Sequence, residues 1–219
     1  MNEFGSANRG PRRRVLWLST IAFTLLFNVW LMLGVLGVKL RSDQLVTDGQ
    51  LEWLIAAAIL SGSLLRLHFG IWTDRYGGRA MFLGLLLFTV IPTYLFSFAE
   101  SFPALLAATL LFGLAGNSFT VGIAWNSAWF PSEQKGTALG IFGAGNVGAA
   151  GTKLLVVLAP GVLTLVPAAG LLGGLVPGGW RFLPFLYAVL LLLMAFALWR
   201  WSPRPDRTPG QGRPLKDMM

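Results

Sequence analysis

The sequence predicts an all-α integral membrane protein with six transmembrane helices. Three observations carry that expectation. Hydrophobic residues make up 55% of the 219 residues and charged residues only 12%, whereas a water-soluble domain carries about 25% charged residues. Mean hydropathy is +0.66. The apolar residues come in runs long enough to cross ~30 Å of hydrocarbon as helices, and most basic residues sit in the short segments between those runs, which is how membrane topology is written.

The spans follow in order. The first, 15–38, carries no charge. It is too long for a signal-peptide core and no small-residue cleavage site follows it, so it is read as retained. The second, 51–72, contains Arg66 and His68, and the third is 81–99. The fourth, 103–129, lies in the uncharged interval between Glu100 and Glu133. The fifth, 137–159, contains Lys153, and the sixth is 182–199. A basic tail, 1–14, precedes this bundle of 15–201. The stretch 161–179 is broken by Pro167, Pro177 and several glycines, and reads as a long outer loop that dips into the interface. The tail 202–219, rich in proline and arginine, is expected to be mobile.

With six spans both termini share one side. That side holds Arg9, Arg12, Arg13, Arg14, Arg75, Arg79, Lys135, Arg200, Arg204, Arg207, Arg213 and Lys216, against Lys39, Arg41 and Arg181 on the other. The positive-inside rule then places both termini in the cytoplasm. The same distribution argues against nucleic acid as a partner, although the net charge is +8. Cysteine is absent and histidine occurs once, so neither a disulfide framework nor a metal centre is expected, and no cofactor. An enzyme is not expected either. Six-span intramembrane proteases pair a serine with a histidine, and the sole histidine here lies in the second span.

The polar residues inside the spans hold the functional signal. Arg66 lies eight residues before Asp74 at the cytoplasmic boundary, ~12 Å into the membrane. An arginine at that depth costs at least ~2.5–3.5 kcal/mol, and all nine acids of the chain map to span ends or loops. A planar, permanently charged guanidinium suits bidentate contact with a flat oxyanion; snorkelling is the structural alternative, at the limit of the side chain's reach. Asn146, nine residues after Thr137, lies ~14 Å deep, near the same level. It stands among six glycines between Gly136 and Gly151, which allow close approach of another helix or a ligand. Lys153 lies nearer the outer face, where snorkelling and a place on an anion or proton path both remain open. His68 points away from Arg66, as a packed side chain or a proton carrier.

Two motifs give a resemblance. Gly70, Asp74, Arg75, Gly77 and Arg79 follow the spacing found between spans two and three in the major facilitator superfamily, and Gly78 departs from it where a basic residue is usual. The Asp74 carboxylate and the arginines are expected to pair across helix ends. Gly143, Gly145, Asn146 and Gly148 resemble the nitrate signature of the nitrate/nitrite porters, the NarK group, which also carry an arginine on the second span where Arg66 stands. The Phe130-Pro131 and Lys135-Gly136-Thr137-Ala138 stretches extend the likeness. The resemblance implies that Arg66 grips nitrate or nitrite, that Asn146 contacts it, and that Gly143, Gly145 and Gly148 let helices slide. Ile141-Phe142 before the signature and Lys153 after it look closer to the proton-coupled branch than to the exchangers. It also implies secondary active transport across the inner membrane, with the chain as the first six-span half of a twelve-span fold and 202–219 as the inter-half linker. A second six-span half or a homodimer would complete it, as a split or truncated transporter; the alternative is a non-transporting fragment or regulatory half.

Overall fold

A chain immersed in hydrocarbon must satisfy its backbone amides internally, which a helix does within one segment. The computed structural model of the chain describes residues 9–158, 161 and 166–208, the side chains of 156–158 excepted. It is helical, and the only β pairing among the described residues is an isolated bridge between Leu171 and Val176.

Helices α1 (Arg9–Leu31) and α2 (Leu33–Ser42) run on as one rod of 34 residues. At 1.5 Å per residue the rod is ~50 Å long, so it overshoots the expected span 15–38 at both ends. Helix α3 (Asp48–Leu64) opens with a capping box: the Thr47 hydroxyl accepts from the Gln50 amide at 3.3 Å, and the Gln50 side chain accepts from the Thr47 amide at 3.0 Å. Helix α4 (Arg66–Tyr76) follows after a 42° bend. The sequence predicted one continuous span here. The bend follows Ser61-Gly62-Ser63, the kind of glycine–serine pair at which helices kink without proline.

Gly77, at φ +85°, turns the chain into α5 (Gly78–Phe96). The fourth run is α6 (Phe102–Phe112), a 3-10 turn at Gly113–Asn117, and α7 (Ser118–Trp129). It stops at Phe130, held extended by Pro131. The fifth run is likewise broken, into α8 (Ser132–Gly143), a 3-10 turn at Ala144–Val147, and α9 (Gly148–Leu158). The sixth is α10 (Phe182–Trp201). Among the described residues four runs are long and apolar enough to cross a membrane: Arg9–Ser42, Gly78–Phe96, Phe102–Trp129 and Gly179–Trp201. The bent pair α3–α4 makes a fifth. The α8–α9 run falls outside that count, and residue 159 of its expected span lies outside the described residues.

Packing follows side-chain size. Helix α10 rests on α5 and α1, and α1 also meets α7 and α9. Phe23 joins Phe27, Phe119 and Phe142 in an aromatic cluster with ring centres 4.9 to 5.5 Å from it. Small residues bring α3 against the 3-10 turn of the fourth run: a Cβ on Gly62 would lie 2.8 Å from the Gly113 carbonyl, and one on Gly116 2.7 Å from the Trp30 ring. The Trp30 indole closes this junction by donating to the Ala58 carbonyl at 2.8 Å. Without a hydrophobic drive between helices in lipid, such close contacts and hydrogen bonds hold spans together.

The two ends of the bundle differ. Near the termini, Arg12 of α1 donates to the Trp129 carbonyl of α7 at 3.0 Å. At the opposite end lie the three ion pairs seen among the described residues: Lys39–Asp43, Arg41–Asp48 and Arg181–Glu100. The stretch before α10 folds back onto α5, where the Tyr94 hydroxyl donates to the Leu175 carbonyl at 3.3 Å and Trp180 packs edge-on against Phe96. Its residues 162–165 lie outside the described residues.

The tail departs from the mobile segment expected of it. Residues 202–208 are placed, with the Asp206 side chain bonded into the bundle. Residues 1–8 of the first tail and 209–219 of the last lie outside the described residues.

Candidate functional site

The bend in the second run decides where Arg66 stands. Arg66 opens α4, so its guanidinium leaves the helix where the axis changes direction. The side chain is exposed in the isolated chain and makes no hydrogen bond or ion pair with any described residue. Its neighbours Leu64 and Leu67 are exposed as well, so the charge sits on an apolar surface. His68 is exposed too, with its ring 6.0 Å from Trp72.

The glycine signature divides into two faces. Gly145 and Gly148 are buried against α1: a Cβ on Gly145 would lie 2.6 Å from the Phe23 ring, and one on Gly148 would run into the Thr24 carbonyl. Gly151 continues the same ridge against the Asn28 side chain. Gly143, by contrast, has open space where a Cβ would go. Asn146 is exposed, and its Nδ2 donates back to the Gly143 carbonyl at 2.9 Å. That bond fixes the amide and leaves its oxygen without a donor among the described residues.

Lys153 is exposed and lines a cavity of about 320 Å³ between the first, second and fifth runs, with Trp30, Ile55 and Ala149 among the other walls. The second and fifth runs thus share one opening beside α1. No hydrogen bond or ion pair joins Arg66, His68, Asn146 and Lys153 to one another. The four groups form a polar set on the bundle without closing into a bonded cluster. The Arg66 guanidinium and the second N–H of the Asn146 amide are donors, each able to contact a small anion. Among the described residues no group of His, Cys, Asp and Glu could hold a metal.

The loop motif behaves differently from its expectation. Gly70 lets Thr120 of α7 approach, with 3.4 Å to a built Cβ, and Gly77 makes the turn. Asp74 is half-buried but forms no ion pair, and Arg75 lies over the Tyr76 ring at 5.4 Å. The acid that engages the loop is Asp206, from the tail. Its Oδ2 accepts from the Arg79 backbone amide at 2.8 Å, at the N-terminus of α5 where helix amides are free and the dipole favours an anion. Its Oδ1 accepts from the Trp125 and Trp129 indoles at 2.8 and 3.1 Å. The Arg79 side chain donates to the Ser202 hydroxyl at 2.6 Å. The missing basic residue at Gly78 has a steric cause: a Cβ there would collide with the Trp125 ring.

Sequence reasoning missed Asp206, Trp125 and Trp129, because a lone acid in a proline-rich tail gives no hint of what it meets. It also missed buried polar contacts inside the bundle. Asn126 donates to the Ser19 hydroxyl at 2.8 Å, and Thr152 shares a 2.7 Å hydrogen bond with Tyr187. The available signal was an amide or hydroxyl in an otherwise apolar span, which must find a partner there.

Comparison with known proteins agrees with this architecture. Residues 15–217 match the Major Facilitator Superfamily. The "Probable nitrate/nitrite antiporter NarK1" of Thermus thermophilus is 61% identical over 211 residues, which are 96% of this chain and 47% of that protein. The "Probable nitrate transporter NarT" of Staphylococcus aureus, strain JH9, is 29% identical over 192 residues, 88% of this chain and 46% of that protein. The chain spans about half the length of the curated relatives it matches. This multi-pass membrane protein belongs to the Major Facilitator Superfamily and resembles its NarK-type members over nearly its whole length.

Proposed function

We propose that the chain is the first six-span half of a nitrate/nitrite porter and carries half of its anion site. The observation that supports this most is Arg66, an unpaired guanidinium on an apolar surface at the break of a bent span. Broken spans place helix N-termini at midplane binding sites in transporters. Arg66 opens such a segment, so its charge and the positive end of the α4 dipole act at one place. Asn146 offers its amide from the fifth span, and Lys153 draws anions toward the shared opening.

All six runs cross the membrane in this reading, with α8–α9 as the fifth. The distribution of basic residues supports cytoplasmic termini: twelve lie on the side of the termini and three, Lys39, Arg41 and Arg181, on the other, which the positive-inside rule reads as an inner-membrane orientation.

Working with a second six-span unit, the two halves rock about the anion and expose it to each side in turn. Carrying one negative charge inward against an inside-negative potential costs ~2.3 kcal/mol per 100 mV. Exchange of nitrate for nitrite avoids that cost because no net charge moves; symport with one proton also cancels the charge, and with more than one the potential drives uptake. No enzymatic step enters this scheme. It is tested in cells lacking nitrate transport that express the chain together with the second half of the Thermus thermophilus relative. Nitrate uptake restored only by the pair is the expected result. No uptake from the pair, with both proteins in the membrane, would refute the scheme.

A further inference from the structure

We propose that the cleft between the start of α1 and the end of α10 binds the phosphodiester headgroup of an anionic phospholipid. The cleft has a volume of about 930 Å³. Arg13 and Arg14 of α1, Arg200 of α10 and Arg204 of the tail all line it, and no carboxylate among the described residues does. Four like charges around one space repel each other until an anion enters.

The nearby charges that do have partners lie elsewhere. Arg12 is bonded to the Trp129 carbonyl, and Arg79 to Ser202 and the tail. Asp206, the one described acid of the tail, is occupied by two indoles and the Arg79 amide. Arg13, Arg14 and Arg200 make no hydrogen bond or ion pair with any described residue. Arg204 is held in place at the rim by a 2.9 Å bond to the Trp199 carbonyl and by its position over the Trp199 ring. At this end of the bundle Arg12, Arg79 and Arg204 are bonded to the protein, which leaves three free guanidiniums in the cleft. Guanidinium forks bind phosphate oxygens in pairs.

The walls choose a lipid over free phosphate. Trp17 and Trp199 flank the arginines and are 52% and 50% exposed, and tryptophan marks the depth of lipid headgroups. One turn deeper, Ile21 on α1 and Phe196 on α10 are exposed apolar side chains, at 48% and 59%. A headgroup in the cleft would lay its acyl chains along these two residues, a contact that inorganic phosphate cannot make. The assignment uses the membrane-spanning fold alone and stands apart from the nitrate reading.

Native mass spectrometry of the purified full chain in detergent tests it, with phosphatidylglycerol and phosphatidylcholine as probes. Each arginine near an anionic headgroup contributes about fivefold. Phosphatidylglycerol should therefore bind at least ~10-fold more tightly than phosphatidylcholine, and the preference should fall as salt rises. The triple variant Arg13→Gln/Arg14→Gln/Arg200→Gln should lose that preference while keeping its helical circular dichroism. Equal binding of the two lipids by the unaltered chain would overturn the proposal whatever the variant does. Retention of the preference by the folded triple variant would overturn it too. Displacement of phosphatidylglycerol by millimolar inorganic phosphate would mark a free-anion site and refute the lipid.

Discussion

Gly148 and Gly143 stand five residues apart and show why glycine in one motif need not mean one role. Gly148 faces the Thr24 carbonyl with no space for a methyl group, whereas Gly143 faces open space. Gly148→Ala should lower stability by about 1–3 kcal/mol, the usual cost of overpacking. Gly143→Ala should be neutral or stabilising by up to ~1 kcal/mol, because alanine is the better helix former. Thermal unfolding of both variants in one detergent checks the pair. The sequence made the cluster conspicuous but could not divide it, since which glycines meet α1 depends on the rotation of the fifth span. Arg66 was legible for the opposite reason. A charge within an apolar run stands out against its cost, and no acid was available in the spans to explain it.

At the scale of elements, the breaks and the tail carry the new information. The long apolar runs predicted an all-α membrane fold, because length and hydropathy decide that in lipid. The bend at Leu65 and the 3-10 turns at Gly113–Asn117 and Ala144–Val147 stayed hidden, since each depends on how small residues meet a neighbouring helix. The docked tail was hidden for a similar reason. Within its own segment Asp206 accepts only from the Arg207 amide, and its docking depends on reaching the Arg79 amide and the two indoles. Asp206→Ala removes the three acceptor contacts with the bundle and leaves the Trp125 and Trp129 indoles without this acceptor, so the tail should undock. Hydrogen bonds to a charged group are worth ~1.5–3 kcal/mol each at most, so trypsin cleavage after Arg207 should quicken at least ~10-fold. An unchanged cleavage rate would show that the tail is held by other contacts.

For the whole molecule, topology and transport are the quantities at stake. The chain has no cysteine, so single cysteines report orientation without background labelling. Gly49→Cys, beside the ion-paired end, should react in intact cells with a membrane-impermeant maleimide, and Ser132→Cys, beside the termini, only after permeabilisation. The reverse pattern would invert the topology. The proposed half-porter rests on Arg66, the unpaired guanidinium at the bend of the second run. The most direct test is the nitrate concentration dependence of uptake by Arg66→Lys, expressed with the second half of the Thermus thermophilus relative. Lysine keeps the charge and loses the fork, so KM should rise at least ~10-fold, the equivalent of about one charge-assisted hydrogen bond. Uptake with an unchanged KM would contradict an oxyanion held by this guanidinium.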